Sequence, residues 1–381
     1  MHERLDQGPL RILQLASHGD LQRGGAVQMV LLARGLRERG HHVATVWQHP
    51  PGAPDAAFAA IEDLAPRFFH VAGWRDLPRF RAFLRRERFD VIHSHRDPAL
   101  RFAYLAATGL PVPAFVTQRG TVYAPPRWGF AGRAFRSRRL DRVIAVAEAV
   151  RRVLVERGGL APDKVSVVYG GFDPARFHRG VSGEGVRREF GLNGATPVVG
   201  IIGALIAKKG HADFFAAAAR IARALPEARF LVVGRGKPSR FADSLAQLGL
   251  ADRVLFTGHR AEIAELLAAM SVLVCASVKG EGLTGTLREA MAVGTPVVTT
   301  DVAGNAELVR HEETGLLVPV GDPDALAAAV LRLVRRPEEA ARFRDAADAL
   351  IHRLCDNGRR CERIEAIYRE IIDRKAAGAQ P

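Results

Sequence analysis

An alternation occurring twice along the chain limits its fold most: short runs rich in branched apolar residues exchange with segments of helical period. A strand that is apolar on successive residues needs cover on both faces, and the crossover helices of β-α-β units supply it. The order predicts an α/β fold of doubly wound parallel sheets. In the first set strands are expected at Arg11–Ala16, His42–Trp47, Arg67–Val71, Asp90–His93, Ala114–Gln118, Arg142–Ala145 and Val165–Val168. Residues 169–196 are rich in Gly, Pro, Arg and Asp and lack an apolar run, so the inter-domain connection is placed there. The alternation then restarts, with strands at Pro197–Gly203, Arg229–Gly234, Val254–Thr257, Val272–Cys275 and Val297–Thr300. From Pro323 to Lys375 the pattern is helical, ending in an amphipathic helix over Arg359–Arg374. The domains read as 1–175, 176–358 and a final helical segment 359–381, with the two Rossmann-like domains facing across a cleft.

Length agrees, since 381 residues exceed one core and suit two. There is no tract of 18 apolar residues, and the polar start lacks the apolar core of a signal peptide, so a cytoplasmic location is expected. Three cysteines, an odd number without zinc-like spacing, argue against a disulfide framework. The net charge of +14 is uneven: residues 1–190 hold 30 Lys or Arg against 18 Asp or Glu, while residues 191–381 hold 25 against 23. Such asymmetry points to an anionic partner for the first half, or to an arginine-rich proteome.

The most informative string runs from Glu281 to Val298. A helix is expected to begin near Leu283 or Thr284, behind Gly282, which together with Gly285 lets the backbone approach a ligand. The free N–H groups of the first turn suit a phosphate. Glu281 then precedes the helix and Glu289 lies more than one turn inside it, two acceptors for sugar or ribose hydroxyls. The Glu-x7-Glu spacing, followed by Glu-Ala-Met-Ala-x-Gly-x-Pro-Val-Val, resembles the signature of GT-B retaining glycosyltransferases of family 4. That resemblance implies a nucleotide-sugar donor, retention through front-face attack, no metal requirement, no cofactor, and a final helix crossing back to the N-terminal domain.

Carried over residue by residue, Lys209-Gly210 resembles the family's Lys-Gly beside the donor diphosphate. The usual Arg of a Gly-Arg-Leu string is replaced by Ala204, and Lys208 is the nearest substitute, with Arg235 as the alternative. Gly234-Arg235-Gly236 and Phe256-Thr-Gly-His259 resemble elements lining the nucleoside pocket, with His259 beside the donor. Leu283 and Thr284 fall with Gly282 among the donor contacts. Glu307 resembles the end of a Gly-Gly-x-x-Glu element, or simply stabilises a helix start. In the first domain Gly24-Gly25 resembles the early Gly-Gly of the family, Gly25 bordering the donor. His95 is expected at the carboxyl end of its strand, near the chemistry. The family's next histidine is absent, leaving Gln118 and Arg119 on the acceptor side.

Trp128, Phe130 and Phe135 are interleaved with Arg127, Arg133, Arg136, Arg138, Arg139 and Arg142, which suits an interfacial helix on anionic lipid. The reading is a retaining glycosyltransferase acting on a lipid-linked or lipopolysaccharide-type acceptor, peripheral on the inner membrane. A nucleic-acid-binding protein is the rival from another class, although no recognised nucleic-acid module is visible and no nucleic acid is expected as partner. A sugar-nucleotide epimerase or glycogen-synthase-like GT-B enzyme is the rival within enzymes.

Overall fold

The computed structural model describes residues 8–21, 23–48, 56–71, 73–280 and 282–378. The chain divides into two compact units, Met1–Gly171 with Asn357–Pro381, and Phe172–Asp356. Both are parallel-sheet α/β Rossmann-like domains.

In the first unit seven strands, β1 (Arg11–Ala16), β2 (His42–Gln48), β3 (Pro66–Phe69), β4 (Val91–His95), β5 (Ala114–Arg119), β6 (Arg142–Ala145) and β7 (Val165–Val167), lie in the order β3-β2-β1-β4-β5-β6-β7. Every pairing is parallel. β3 stops at Phe69, short of the expected Val71, because the Val71 amide turns back onto the Phe69 carbonyl at 2.9 Å. β4 extends past His93 because His95 remains paired with Ala16 on one side and Gln118 on the other.

The second unit has six strands, β8 (Val198–Ile202), β9 (Arg229–Val233), β10 (Val254–Gly258), β11 (Val272–Cys275), β12 (Val297–Thr300) and β13 (Leu316–Val318), in the order β10-β9-β8-β11-β12-β13. Val198–Ile202 is buried at every position, as a central strand covered on both faces must be. In both sheets the strand order reverses beside the first strand of the unit, and the loops at the carboxyl ends there are where a doubly wound sheet receives ligands. Within 169–196, read as a connection, the Glu184–Glu189 helix packs on the Ile263–Ala269 helix and so belongs to the second unit.

The final helix, Asn357–Ala377, returns to the first unit and packs on the Gly24–Glu38 helix. Cys361, Ile364, Tyr368 and Ile371 form its buried stripe, at spacings of three and four residues. Gly35 permits the contact, since a Cβ there would stand 2.5 Å from Cys361 Sγ and 2.9 Å from Asn357 Nδ2. Gly35→Ala should therefore lower stability by about 1–3 kcal/mol in urea denaturation, despite alanine's better helix propensity. Adding Cys361→Ala should restore part of the loss.

Candidate active site

The second unit gathers its site from the ends of neighbouring strands. After β8 the chain makes a tight turn, Ala207–Lys209, and Gly210 at φ +70° leads into the His211–Ala224 helix. A side chain at Gly210 would run into the Ala276 carbonyl, so the turn is pressed against the loop after β11. The Val278 amide donates to the Lys208 carbonyl at 2.9 Å and holds the same two loops together. Lys209 is half-buried, its stem lying over Gly203; Lys208 is exposed. Both lysines thus precede the α-helix rather than sit on it.

The loop after β9 joins them. Leu205 N–H donates to Arg235 O at 2.7 Å, Gly234 N–H to Gly258 O at 2.8 Å, and a side chain on Gly234 would strike the Gly203 carbonyl. Arg235 and His259 are exposed on this edge. Of the expected donor residues, Lys208, Lys209, Gly234, Arg235, His259, Gly282, Leu283, Thr284 and Glu289 all belong to loops or helix starts at the carboxyl ends of β8 to β11. Glu281 lies outside the described residues.

The helix after β11 runs Gly285–Val293, beginning one or two residues later than the expected Leu283 or Thr284. Thr284 keeps an extended backbone, and its N–H is taken by Asn305 Oδ1 at 3.3 Å rather than by the helix. Asn305 is fully buried and donates from Nδ2 to Thr299 Oγ1 at 3.1 Å, tying the helix start to β12. Sequence reading weighed Glu307 and passed over Asn305, although an amide between a strand and a helix was its available signal. Glu307 lies in the short Asn305–Leu308 helix. Glu289 keeps some accessible surface, yet protein surrounds its carboxyl closely enough that burial raises its pKa, against the pull of Arg288 and Arg176. Arg288 also went unremarked, a buried cation between Leu287 and Glu289 in a helix whose other buried residues are apolar.

In the first unit the carboxyl ends of β1, β4 and β5 carry a buried polar chain. Gln14, His93, His95 and Gln118 share one face of the sheet through the registers Gln14 to His93 and His95 to Gln118. His95 Nε2 donates to Gln14 Oε1 at 2.6 Å; the Gln14 amide donates to Tyr368 Oη at 3.4 Å; Tyr368 lies 2.6 Å from His93 Nδ1. The two imidazoles stack with centroids 4.5 Å apart. Arg360 donates to Gln28 O at 3.0 Å and to Gln118 Oε1 at 3.5 Å. Burial, with Arg360 nearby, pushes the His93 pKa down to about 3, and burial with His93 and Arg360 lowers His95 as well. Both rings are neutral, so His95 sits here as a fixed hydrogen-bonding group.

Arg119 is spoken for within the fold, paired with Asp97 and donating to Tyr123 O at 3.0 Å. Gln118 is half-buried beside it, and Gly25 is exposed in the first turn of the Gly24–Glu38 helix. The expected interfacial helix over residues 127–142 shrinks to Gly129–Arg136, and three of its cations are structural. Arg136 donates to the carbonyls of Pro126 and Gly158, Arg139 to Ala107, and Arg142 to Ser166 Oγ and Glu370. Arg127, Arg133 and Arg138 remain exposed, as does Trp128 at 87%.

Two family models cover the chain, Glycosyltransferase Family 4 over residues 23–176 and Glycosyl transferases group 1 over residues 196–336. The D-inositol 3-phosphate glycosyltransferase of Stackebrandtia nassauensis is 30% identical over 91% of this chain and 88% of that protein. The lipopolysaccharide core biosynthesis mannosyltransferase LpsB of Rhizobium meliloti is 33% identical over 54% of this chain and 59% of its own length. Against several curated relatives the chain thus spans a little over half of their length. The fold matches that of Anabaena HepE crystallised with UDP, at a TM-score of 0.82 and 21% identity, over 95% of this chain and 100% of that one. The chain belongs to the family 4, group 1 glycosyltransferases of GT-B fold.

The depressed histidines predict acid sensitivity. A His that titrates near 6.5 when unfolded and near 3 when folded contributes stability above pH 6.5 that is lost as pH falls, by roughly 1.4 kcal/mol per pH unit. Urea midpoints should therefore fall between pH 6.5 and 5, above the carboxylate range, and His93→Gln should flatten that limb by about one proton.

Proposed function

We propose that the protein is a retaining hexosyltransferase that moves a sugar from a nucleotide sugar to a lipid-linked or lipopolysaccharide-type saccharide acceptor at the cytoplasmic membrane face. The observation that carries this is the convergence of Lys209, the glycines after β8 and β9, and the start of the Gly285–Val293 helix with Glu289 on one sheet edge. Helix N–H groups and a half-buried ammonium suit a diphosphate leaving group, and a carboxylate one turn further suits a ribose. Support for the acceptor comes from LpsB, named for lipopolysaccharide core synthesis, and for the donor from the UDP held by HepE.

Transfer with retention needs no protein nucleophile in this reading. The leaving diphosphate takes the acceptor proton on the face it vacates, while oriented cations and N–H groups stabilise its growing charge. In this reading the family resemblance gives Glu281 a role at the sugar, and His95 and Gln118 serve the acceptor as neutral groups. No metal is asked for, because Lys209 and the helix start carry the charge. Glu289→Ala should weaken UDP binding by roughly 1.5–3 kcal/mol in calorimetry, and Lys209→Ala should abolish transfer of radiolabelled sugar to membrane lipid. Unchanged UDP affinity in the first variant would remove Glu289 from the ribose.

An anionic membrane surface is the proposed partner of Trp128 with Arg127, Arg133 and Arg138. Trp74, 61% exposed, lies against Phe130 at 6.1 Å and widens the aromatic patch. Arg136 and Arg139 are poor test positions, since their loss would damage the fold. Replacing Arg127, Arg133 and Trp128 together should release the protein from anionic vesicles in sedimentation and leave UDP binding unchanged.

A further inference from the structure

The Gly285–Val293 helix has nine residues and no acidic residue in its first turn. Side chains on a helix lean toward its N-terminus, and Gly285 offers nothing in the way. The Arg288 guanidinium accordingly folds back over the first turn, its Nη2 3.4 Å from where a Gly285 Cβ would stand. Arg288 is only 5% exposed, and its Nε is buried with no partner. Among the described residues it makes no hydrogen bond and no ion pair. Thr284, 4% exposed, has a buried Oγ1 that likewise has no partner. A cation belongs near the C-terminal end of a helix dipole, so a buried one held at the positive end is unfavourable. Among the described residues the neighbouring Glu289 carboxylate attracts it, but no hydrogen-bonded or ion-paired anion meets the guanidinium.

A bound anion would offset that cost. We infer that Arg288 and the Thr284 hydroxyl complete an anion site at this helix start and hold the diphosphate of the sugar donor. The inference rests on the nucleotide-sugar reading for the identity of the ligand and on the side chains for the site. What converges is a guanidinium, a hydroxyl and first-turn N–H groups, so the ligand must present charged oxygen acceptors, as phosphates do. Lys209 stands at the end of β8, next to β11, and two cations on adjacent strand ends suit two phosphoryl groups rather than one carboxylate. Ala204 contributes only a methyl group, and Lys208 is exposed. Arg288 thus takes the part that the sequence pattern gave to Lys208.

The test compares inorganic pyrophosphate, UDP and uridine binding to the full chain by calorimetry, for the natural sequence and for Arg288→Met, Thr284→Val and Lys208→Ala. Arg288→Met should lose tenfold or more in affinity for pyrophosphate and UDP while uridine binding is unchanged. Its melting temperature without ligand should be no lower than that of the natural sequence, because a misplaced buried cation has gone; a merely structural arginine would lower it. Thr284→Val should show a smaller loss in the same direction, and Lys208→Ala should change pyrophosphate affinity less than twofold. Should Arg288→Met not fold, Arg288→Lys decides, since it keeps the charge but loses the planar donor pair, and it should still bind pyrophosphate several-fold more weakly. Pyrophosphate affinity unchanged without the guanidinium, or absent in the natural sequence, overturns the inference. Pyrophosphate binding that requires Arg288, with no UDP binding, would instead sink the nucleotide-sugar reading and leave the anion site standing.

Discussion

Burial of the central strands on both faces is the constraint from which the rest follows. Apolar side chains above and below the sheet leave no room for a ligand along the strands, so polar chemistry is confined to their carboxyl ends. The strands show this as a gradient. In the first unit one face runs from Ile12 to Gln14, from Val91 to His93 and His95, and from Val116 to Gln118, apolar first and polar last. In the second unit β8 is apolar throughout and the polar work passes to the loops beyond it.

Those loops can converge because backbone lies against backbone. Gly234 beside the Gly203 carbonyl, and Gly210 beside the Ala276 carbonyl, occupy places that no side chain could share. Hydrogen bonds between loops then fix the positions of Lys209 and of the helix that carries Glu289. Asn305, in the short helix after β12, performs the same service, using one buried amide to tie Thr284 to Thr299. The helix is thereby prevented from beginning at Thr284, and its first N–H groups stay available.

The first unit solves a different problem. Its strand ends carry two imidazoles and two amides that would be costly if left unpaired in the interior. The final helix meets that need: Tyr368 engages Gln14 and His93, and Arg360 engages Gln118. A helix 275 residues beyond His93 therefore belongs to the polar end of the sheet as much as to the apolar core below it.

The sequence by itself determined the two parallel sheets, the positions of their strands other than the edge strand Leu316–Val318, and the loops that end them, because hydrophobic period and glycine placement are local properties. It also singled out Glu289 and the helix after β11 through the spacing of one string, and Lys209 through its Lys-Gly pair. It could not decide which arginines are free. Arg119 read as an acceptor contact and Arg136, Arg139 and Arg142 as interfacial cations, but all four bond within the fold, while Arg288, beside Glu289, holds a buried guanidinium with no hydrogen bond or ion pair among the described residues. That distinction depends on what each guanidinium meets from segments distant in the chain. The same holds for Asn305 and Tyr368, whose partners lie on other elements, so only the tertiary structure reveals what they hold in place.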